Sequence, residues 1–478
     1  MSDLATGPRI AVVGGGVSGL AAAHRLRTLG AEVVVVEKSP RLGGKVLTEK
    51  VDGFLIEGGP DSFVAAKGSV IALAQELDVG DRVISSQSEH RGSKVWYQGR
   101  LHPLPAGLLL MAPSRLGPLF RSSLLSWEGK LRVLGDLVKP RRRRGGEDES
   151  LESFVVRRLG PEVLERIAEP LIAGIHAAEP SSMSLQASFP RFLQMEREHR
   201  SLILAARAAA KGPAPVEGLS YFASFAGGME ELSGALVGAL DGVDLRTGVA
   251  VSRLTDDENG GGYRLVLEGD AELRVQGVVL AVPAREAGRL LSDLSPHAGA
   301  AIAGIPQIAT ATVTMAYRVD EIPELVGSGF VIPAVERRRI MGVSYLSQKW
   351  RGRVPDPAFS LLRAFVGGAS GQDLALSGED KLQAVVKEEL AALIRITAMP
   401  VLTRTHSWKG GLHQYRLGHL ERVARAESAL AAHPGLALAG AAFHGIGLNE
   451  CIDSGRRAAE IVLMACGPPL ALTLEGNN

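Results

Sequence analysis

The stretch Gly14-Gly15-Gly16-Val17-Ser18-Gly19 decides the fold of the amino-terminal region. It fits the pattern G-x-G-x-x-G and joins an apolar run at residues 10–13 to a helical pattern at residues 17–29. In such a turn the first glycine makes the bend, the second lets the backbone approach a pyrophosphate, and the third lets the helix pack on the strand. The stretch therefore predicts a Rossmann-type unit with a dinucleotide at the helix N-terminus. The alternative is a plain glycine-rich turn.

An acidic residue follows where this type of site needs one. Residues 33–36 are apolar without alternation, which is typical of a buried parallel strand. Glu37 ends this run, 18 residues after Gly19. Its carboxylate is placed to accept hydrogen bonds from the ribose hydroxyls of the adenosine half. Glu37 and its neighbour Lys38 are therefore candidate cofactor-binding residues.

Two further glycine-containing stretches favour FAD over NAD. Arg41-Leu42-Gly43-Gly44-Lys45 resembles the R-x-G-G-[RK] stretch of the two-dinucleotide-binding flavoproteins, in which the cation pairs with the FAD pyrophosphate. The small residues of Glu57-Gly58-Gly59-Pro60-Asp61-Ser62 would let the chain lie against a flavin ring, although an ordinary loop is equally compatible with this stretch. Simple NAD dehydrogenases have neither feature. The sequence therefore predicts a flavoprotein that binds FAD non-covalently.

A glycine-rich stretch near the end of the chain belongs to the same predicted site. Residues 440–455, GAAFHGIGLNECIDSG, form a turn that leads into a predicted helix at residues 455–466. Backbone N–H groups and a positive helix dipole at the flavin would favour its anionic reduced form. This stretch lies some 400 residues after the first glycine turn. One domain is therefore assembled from distant segments.

Composition limits the classes of protein that need to be considered. The 478 residues are 46% hydrophobic and 22% charged, with a net charge of +1, so nothing attracts nucleic acid over long range. The two cysteines, Cys451 and Cys466, indicate a reducing compartment and exclude Cys-cluster metal sites, and we predict no metal site. Residues 1–9 do not resemble a signal peptide, and no uninterrupted apolar run reaches the roughly 20 residues of a spanning helix. We expect a cytoplasmic protein, or one peripheral on the inner face of the cell membrane.

The remaining patterns indicate an α/β fold class, α+β overall. Strand-like runs at residues 310–317, 330–332, 341–345 and 360–365, with an amphipathic helix at 379–394, predict a second, sheet-based domain. Helical patterns at residues 127–138, 151–171 and 202–210 predict a mainly helical insertion. We expect an FAD-binding domain of residues 1–91, 216–295 and 433–478, a substrate-binding domain of 92–109 and 296–432, and the helical insertion at 110–215.

These stretches together resemble the monoamine oxidase-like FAD superfamily. Phe225-Ala226-Gly227-Gly228-Met229 is similar to the F-x-G-G-M element of that superfamily. Within it, Leu101-His102-Pro103-Leu104-Pro105, Gly174 with Phe189-Pro190, and the stretch from Asn449 to Gly455 resemble the oxygen-dependent protoporphyrinogen oxidase family. The resemblance runs from about residue 9 to residue 465.

The resemblance implies three domains, of which the helical one binds a membrane, and it implies roles for particular residues. The positions that match those near the adenine and the flavin are Val251, Trp408 and Gly447-Leu448-Asn449. The positions that match the porphyrinogen cavity are Gly174, Gly329, Val331, Val343 and Phe365. Ser93, with Arg91 and Lys94 beside it, stands where plant and animal members have an arginine that meets a substrate carboxylate. How this chain holds the substrate propionates is therefore open.

The resemblance implies oxidation of protoporphyrinogen IX by O2 in haem biosynthesis, with six electrons removed in three cycles. The flavin itself carries this chemistry, and we assign no side chain as acid or base. Alternatives are a sister enzyme acting on coproporphyrinogen III, for which Arg337–Arg339 are candidate anchors, an amine oxidase or carotenoid-type desaturase, and a flavin-binding module without turnover. Leu, Met and Trp within residues 104–144, with Lys139 and Arg141–Arg144, would suit a membrane surface. A helical subdomain with a solvated basic loop explains them equally well, and a homodimer is a further expected assembly.

Overall fold

A computed structural model describes residues 7–87, 92–109, 111–142, 148–211, 218–258, 261–368 and 371–467. The strands, in chain order, are β1 (Arg9–Val13), β2 (Glu32–Glu37), β3 (Thr48–Val51), β4 (Phe54–Glu57), β5 (Phe63–Val64), β6 (Val83–Ser85), β7 (Ser93–Tyr97), β8 (Arg100–Pro103), β9 (Leu108–Leu109), β10 (Ala112–Pro113), β11 (Phe222–Phe225), β12 (Asp244–Thr247), β13 (Val251–Asp256), β14 (Tyr263–Leu267), β15 (Glu272–Val275), β16 (Gly277–Leu280), β17 (Gln307–Arg318), β18 (Gly329–Val331), β19 (Gly342–Tyr345), β20 (Phe359–Gly367), β21 (Leu402–His413) and β22 (Leu436–Leu438).

The helices, in chain order, are α1 (Val17–Thr28), α2 (Ser69–Glu76), α3 (Leu116–Arg121), α4 (Trp127–Leu134), α5 (Leu151–Arg158), α6 (Pro161–Val163), α7 (Glu169–His176), α8 (Leu185–Ser188), α9 (Pro190–His199), α10 (Leu202–Ala209), α11 (Glu230–Gly238), α12 (Ala284–Leu290), α13 (Pro296–Ala303), α14 (Leu346–Lys349), α15 (Gln372–Ala375), α16 (Glu379–Ile394), α17 (His419–Leu430) and α18 (Leu448–Cys466). Within the described residues, none of these helices is both long and apolar enough to cross a membrane.

A five-stranded parallel sheet joins the two ends of the chain. Its strand order is β12-β2-β1-β16-β22, so strands from residues 9–37, 244–280 and 436–438 lie side by side. Alternate residues of β1 face opposite cores: Ile10 and Val12 pack with α1, α2, α11 and α18, and Ala11 and Val13 pack with α12, α13 and α17. This arrangement has the doubly covered sheet that the sequence predicts.

A seven-stranded sheet forms the second large layer. Its order is β21-β17-β20-β19-β18-β7-β8, and all pairs are antiparallel except β18 with β7. One face packs on α16 through Leu382, Val386 and Leu390. The other face turns toward the helical segment of residues 111–211, whose core includes Val95 of β7 and Phe154 of α5. The mixed helix and sheet content confirms the predicted fold class, and the division into three domains stays a prediction.

The structure corrects three element predictions. The helix predicted at residues 455–466 begins at Leu448, because Gly455 serves close packing and not a loop: a Cβ there would lie 2.1 Å from the carbonyl oxygen of Ser18 in α1. The helix predicted at 151–171 is interrupted at Gly160, whose φ of +97° ends α5. Strand β21 was not predicted, because its polar residues and the consecutive Gly410 and Gly411 within it obscure the alternation that is typical of a strand.

The predicted helix at residues 127–138 is shorter than expected. Helix α4 ends at Leu134 and continues as a tighter turn over Gly135–Leu137. Glycine at position 135 lowers the helix propensity at this point. Residues 143–147, which include half of the predicted basic run, lie outside the described residues.

Candidate flavin and substrate site

The first glycine turn lies at the carboxyl end of β1 and shapes an open space. Gly14 has a φ of +107°, and a Cβ there would lie 2.5 Å from the carbonyl oxygen of Ala281. A Cβ on Gly19 would lie 1.9 Å from the carbonyl oxygen of Gly14. At Gly16, by contrast, no other heavy atom lies within 4 Å of the Cβ position. The first-turn N–H groups of α1 have no intrahelical acceptor, so this space fits a pyrophosphate.

Glu37 is held beside this turn by backbone donors. Its carboxylate accepts hydrogen bonds from the N–H of Gly15 at 2.7 Å and of Ser39 at 2.8 Å. Val249 reaches the same strand end, where its N–H donates to the carbonyl oxygen of Glu37 at 3.1 Å. Two residues further along, Val251 is buried, and its carbonyl oxygen accepts from Arg289 at 2.8 Å. The structure thus brings the two predicted adenosine-side residues to one corner, while Lys38 is exposed.

The predicted cations of the second stretch contact protein groups. Arg41 donates to the carbonyl oxygens of Leu42 and Val46 and forms an ion pair with Glu230 at 3.1 Å. Lys45 donates to the carbonyl oxygens of Gly410 at 3.0 Å and Gly411 at 2.6 Å, and its burial lowers the pKa of the ammonium. These side chains stabilise the loop, whose Gly43 pairs with Gly16.

The segment of residues 57–62 is fixed by contacts from distant parts of the chain. The carbonyl oxygen of Gly58 accepts from Trp408 Nε1 at 2.9 Å, and that of Gly59 accepts from Arg363 at 2.6 Å. Asp61 forms an ion pair with Lys349 at 3.0 Å. Burial opposes ionisation of Asp61, but Lys349 and Arg363 outweigh it and hold the pKa of the carboxyl well below its usual range. Ser62 donates to the same carboxylate, whereas no side-chain contact defines Pro60.

Glu57 begins this segment as a fully buried carboxyl group. It accepts hydrogen bonds from Thr48 Oγ1 at 2.8 Å and from the N–H of Met229 at 2.9 Å. Burial raises the pKa of Glu57, and these donors lower it in part. Met229 belongs to the F-x-G-G-M stretch, so Glu57 ties that stretch to the segment of residues 57–62.

The N-terminus of α18 lies against the same region. Gly447 precedes the helix, and Leu448 begins it. The buried amide of Asn449 accepts from the N–H of Val70 and donates to the carbonyl oxygen of Val64, both at 3.0 Å. Cys451 lies buried in the first turn, and burial raises the pKa of its thiol to about 11. The asparagine thus ties the first turn of the helix to the backbone of Val64 and Val70.

The predicted substrate positions divide between the two faces of the seven-stranded sheet. Gly329, Val331 and Phe365 lie on the face turned toward the helical segment, and Val331 packs against its core. Gly174 is exposed on α7, with no other heavy atom within 4 Å of its Cβ position. Val343 differs, since its side chain is 2% exposed in the core beneath α16. Only its carbonyl group approaches Gly329, so the structure does not bring the Val343 side chain to the other four residues.

The candidate propionate anchors also have defined positions. Arg338 and Arg339 form ion pairs with Glu389 of α16 at 2.9 and 3.0 Å. They are therefore engaged on the side of the sheet away from Val331. Ser93 pairs with Gly329, and its hydroxyl lies 3.3 Å from that of Ser328. Arg91 lies outside the described residues.

Three cations near this segment, two of them buried and one half-buried, were not predicted from the sequence. They are Lys349, Arg353 and Arg363, and all three contact the segment of residues 57–62 or the neighbouring strand β11. The signal that was present is an isolated arginine within the apolar strand LLRAFV. Among the described residues, no group of three or more His, Cys, Asp or Glu side chains is arranged to hold a metal ion.

Comparison with known proteins agrees with this geometry. The profile of the family described as flavin containing amine oxidoreductase matches residues 17–463. A coproporphyrinogen III oxidase of Propionibacterium freudenreichii subsp. freudenreichii is 35% identical over 98% of this chain and 93% of its own. The protoporphyrinogen oxidase of Homo sapiens is 32% identical over 96% of this chain and 98% of its own.

A solved structure adds the fold. The crystal structure of an Exiguobacterium sp. 255-15 protein, described as a candidate protoporphyrinogen oxidase, is similar with a TM-score of 0.85 and 30% identity. It covers 97% of this chain, and this chain covers 99% of it. Both the sequence profile and the architecture therefore extend over nearly the whole molecule, and the chain belongs to the flavin containing amine oxidoreductase family.

Proposed function

We propose that the chain is an oxidase that converts protoporphyrinogen IX into protoporphyrin IX while three O2 are reduced to three H2O2. The cofactor is FAD, because the chain belongs to a family of flavin-containing oxidoreductases. When bound, FAD would accept a hydride from carbon and then pass the electrons to O2. The observation that carries the proposal is the sheet face on which Val331 and Phe365 lie, because Arg363 on this face contacts the segment of residues 57–62.

The residues of the glycine turns hold the cofactor in this proposal. The space at Gly16 and the N-terminus of α1 take the pyrophosphate, and Glu37 takes the ribose. Trp408 orients the carbonyl group of Gly58, and Asn449 fixes the N-terminus of α18. With Cys451 buried in a helix as a neutral thiol, we propose that the FAD is held without a covalent bond.

The sheet face and helix α7 form the two walls of the substrate space. Gly329, Val331 and Phe365 lie on the sheet side, and Gly174 lies on the helix side. Walls of this kind exclude water and accept a broad, largely apolar macrocycle with few polar anchors. Glu169 joins the walls, since its carboxylate accepts from the N–H of Ala334 at 3.0 Å just beyond β18.

Coproporphyrinogen III is the second candidate substrate, and a relative favours it. The Propionibacterium enzyme of that name is the more similar of the two relatives described above. Four propionates instead of two call for more cations at the cavity. Arg338 and Arg339 are held by Glu389 on the other side of the sheet, which favours the substrate with two propionates.

An anaerobic experiment separates these candidates. The purified yellow protein is mixed with protoporphyrinogen IX, with coproporphyrinogen III, or with an aliphatic amine as control, and bleaching of the flavin is followed together with porphyrin fluorescence. We expect rapid bleaching with protoporphyrinogen IX. Preference for coproporphyrinogen III would move the assignment to the sister activity, bleaching by the amine alone would favour an amine oxidase, and no bleaching with any compound would overturn the porphyrinogen proposal.

We also propose that helix α4 lies on a membrane surface. Trp127 and Leu131 on α4 and Val138 just beyond it are 68%, 64% and 77% exposed. Arg132 of the same helix is exposed as well. Exposed aromatic and aliphatic side chains next to cations suit the interface of an anionic bilayer. A peripheral position on the inner face of the cell membrane would keep a poorly soluble porphyrin close to lipid.

Vesicle binding tests this face directly. The double substitution Trp127→Ser and Leu131→Ser removes about 3–5 kcal/mol of apolar transfer energy, so we expect co-sedimentation with anionic lipid vesicles to be lost. Met399→Ser is the control, because Met399 is 71% exposed elsewhere on the surface. Equal sedimentation of the double variant and the control would argue against docking through α4.

A further inference from the structure

Arg363 occupies the middle of strand β20 on the face that carries the proposed site. Its neighbours across the sheet are Thr314 on β17 and Ser344 on β19. Phe365 follows on the same face, with its ring centre 5.3 Å from the guanidinium carbon. The Arg363 residue is 3% exposed. A charged group is thus buried directly beside the proposed substrate wall.

The guanidinium of Arg363 makes one strong contact with the segment of residues 57–62. Nη2 donates to the carbonyl oxygen of Gly59 at 2.6 Å and lies 3.4 Å from Thr312 Oγ1. Nε has no hydrogen-bond partner among the residues that the structure describes. A buried donor without an acceptor is costly, which calls for a compensating function.

The charge of Arg363 is also incompletely compensated. The nearby carboxylates are those of Asp61 and Glu57, but neither forms an ion pair within 4 Å of Arg363 in the described chain. Asp61 is paired with Lys349 at 3.0 Å, and Glu57 lies 3.8 Å from Arg353. Of the three cations Lys349, Arg353 and Arg363, Arg363 is therefore the one without an ion pair within 4 Å among the described residues, and it carries its charge in a region of low dielectric constant.

A continuous path leads from the pyrophosphate space to Arg363. Gly16 pairs with Gly43, and a Cβ on Gly59 would lie 1.7 Å from the carbonyl oxygen of Lys45. The N–H of Gly58 donates to the carbonyl oxygen of Leu47 at 2.8 Å. Gly58 and Gly59, at the end of this path, would then be the residues that hold the flavin ring of a dinucleotide bound at Gly16. Arg363 contacts that segment from the sheet side.

We propose that Arg363 is a positioning residue that fixes the Gly59 carbonyl group and places a positive charge next to the flavin-facing segment, where it favours the reduced, negatively charged state of the bound flavin. This inference rests on the proposed flavin-dependent oxidase function, but not on the identity of the substrate. The charge acts through space and the hydrogen bond acts through Gly59. Both effects make hydride acceptance by the loaded enzyme more favourable.

The test measures the bound flavin and needs no porphyrinogen. Arg363→Met and Arg363→Lys are purified with FAD, and the equilibrium of two-electron reduction is measured against a reference dye. Sulfite affinity is measured by bleaching of the visible band. For Arg363→Met we expect a roughly tenfold loss in the reduction equilibrium, equivalent to a potential about 30 mV lower, and a similar loss of sulfite affinity. Arg363→Lys keeps the charge and is expected to stay within about threefold of the native protein.

Two further variants keep the test decisive if Arg363→Met does not fold. Asp61→Asn removes a carboxylate near Arg363 with little change in the shape of the side chain. The affinity of the bound flavin for sulfite should therefore rise at least about threefold. Arg318→Met is the matched control, since it removes an exposed cation from the end of strand β17 and should change neither quantity. An Arg363→Met protein with native reduction equilibrium and sulfite affinity would overturn the proposal, and so would an Asp61→Asn protein whose sulfite affinity does not rise. Failure of the porphyrinogen assignment would leave all these readouts in place.

Discussion

Two glycines of the first turn are constrained by different neighbours. A Cβ on Gly19 would lie 1.9 Å from the carbonyl oxygen of Gly14, so this glycine serves the packing of α1 on the sheet. Gly16 has an ordinary φ of −74° and open space at its Cβ position, so no contact among the described residues requires a glycine there. We infer that Gly16 is needed for the cofactor and Gly19 for the fold.

Alanine at Gly19 should therefore reduce the stability of the fold, whereas alanine at Gly16 should reduce the affinity for FAD. Gly19→Ala is expected to destabilise the apoprotein by about 1–3 kcal/mol through overpacking. Gly16→Ala should leave the unfolding of the apoprotein unchanged but weaken FAD binding by about tenfold or more, since the methyl group occupies the pyrophosphate space. Urea unfolding of the apoproteins measures their stability, and fluorescence titration with FAD measures the affinity for the cofactor. If Gly16→Ala binds FAD as tightly as the native chain, the space at Gly16 is not the pyrophosphate site.

For single residues, the sequence predicts where a glycine is needed better than it predicts which group a buried cation contacts. The steric need for a small residue is local, and the spacing within Gly14–Gly19 expresses it. The partner of a buried cation is not local: Arg363 contacts Gly59, and Lys349 contacts Asp61, across almost 300 residues. For Arg41 the pattern predicts a phosphate contact, which stays a prediction. In the structure its guanidinium donates to its own loop and pairs with Glu230.

Among the secondary-structure elements, helix α7 contacts the segment that follows strand β18 through a titratable side chain. Glu169 begins α7 and accepts from the N–H of Ala334, which follows β18. Burial raises the pKa of Glu169 to about 7, and Glu165 adds to this rise. Because this pKa is higher in the folded chain than its ordinary value of 4.5, folding is linked to proton uptake.

The linkage has a definite sign. The contribution of Glu169 is fully present below about pH 4.5 and is lost as the pH rises through about 7. Glu169→Gln, which stays neutral, should therefore show a smaller loss of unfolding free energy between pH 5 and pH 8 than the native protein. Urea unfolding across this range measures the slope, with exposed Glu152→Gln as control. An unchanged slope in Glu169→Gln would show that this carboxyl group does not titrate as described.

Element prediction succeeded where hydrophobic periodicity was strong. The predicted bounds of α16 agree with Glu379–Ile394, and β17 contains the whole predicted run of residues 310–317. It failed at β21, since one face of this strand carries His406 and Trp408, which contact the segment of residues 57–62 and its neighbours instead of an apolar core. A strand whose partners are polar has no apolar alternation to detect.

In the whole molecule, the parallel sheet depends on both ends of the chain. Strand β22 completes the edge beside β16, and α18 packs along α1 through Gly455. The glycine motifs at both ends predict such an assembly, but the pairing of β12 with β2 has no sequence signal, because a strand of four residues carries little pattern. The arrangement makes the folded state dependent on the last described elements.

Truncation tests this dependence. A chain that ends at Pro434 lacks β22 and α18, so we expect it to lose FAD binding and the cooperative unfolding transition. A chain that ends at Gly467 keeps every described element and is the control, with FAD binding expected to match that of the full chain. Cofactor retention after gel filtration and thermal unfolding measure the difference. A shorter chain that still holds FAD would show that the sheet is complete without β22.

The order of strands in the parallel sheet also determines when the sheet can be completed during translation. Leu280 of β16 leaves the ribosome 156 residues before Leu436 of β22, which at about 5–20 residues per second is an interval of about 8–31 s. During this interval one edge of β16 has no neighbour and offers unpaired backbone groups to other chains. The nascent protein is thus vulnerable to aggregation until β22 emerges, and newly made chains should depend on chaperones until then.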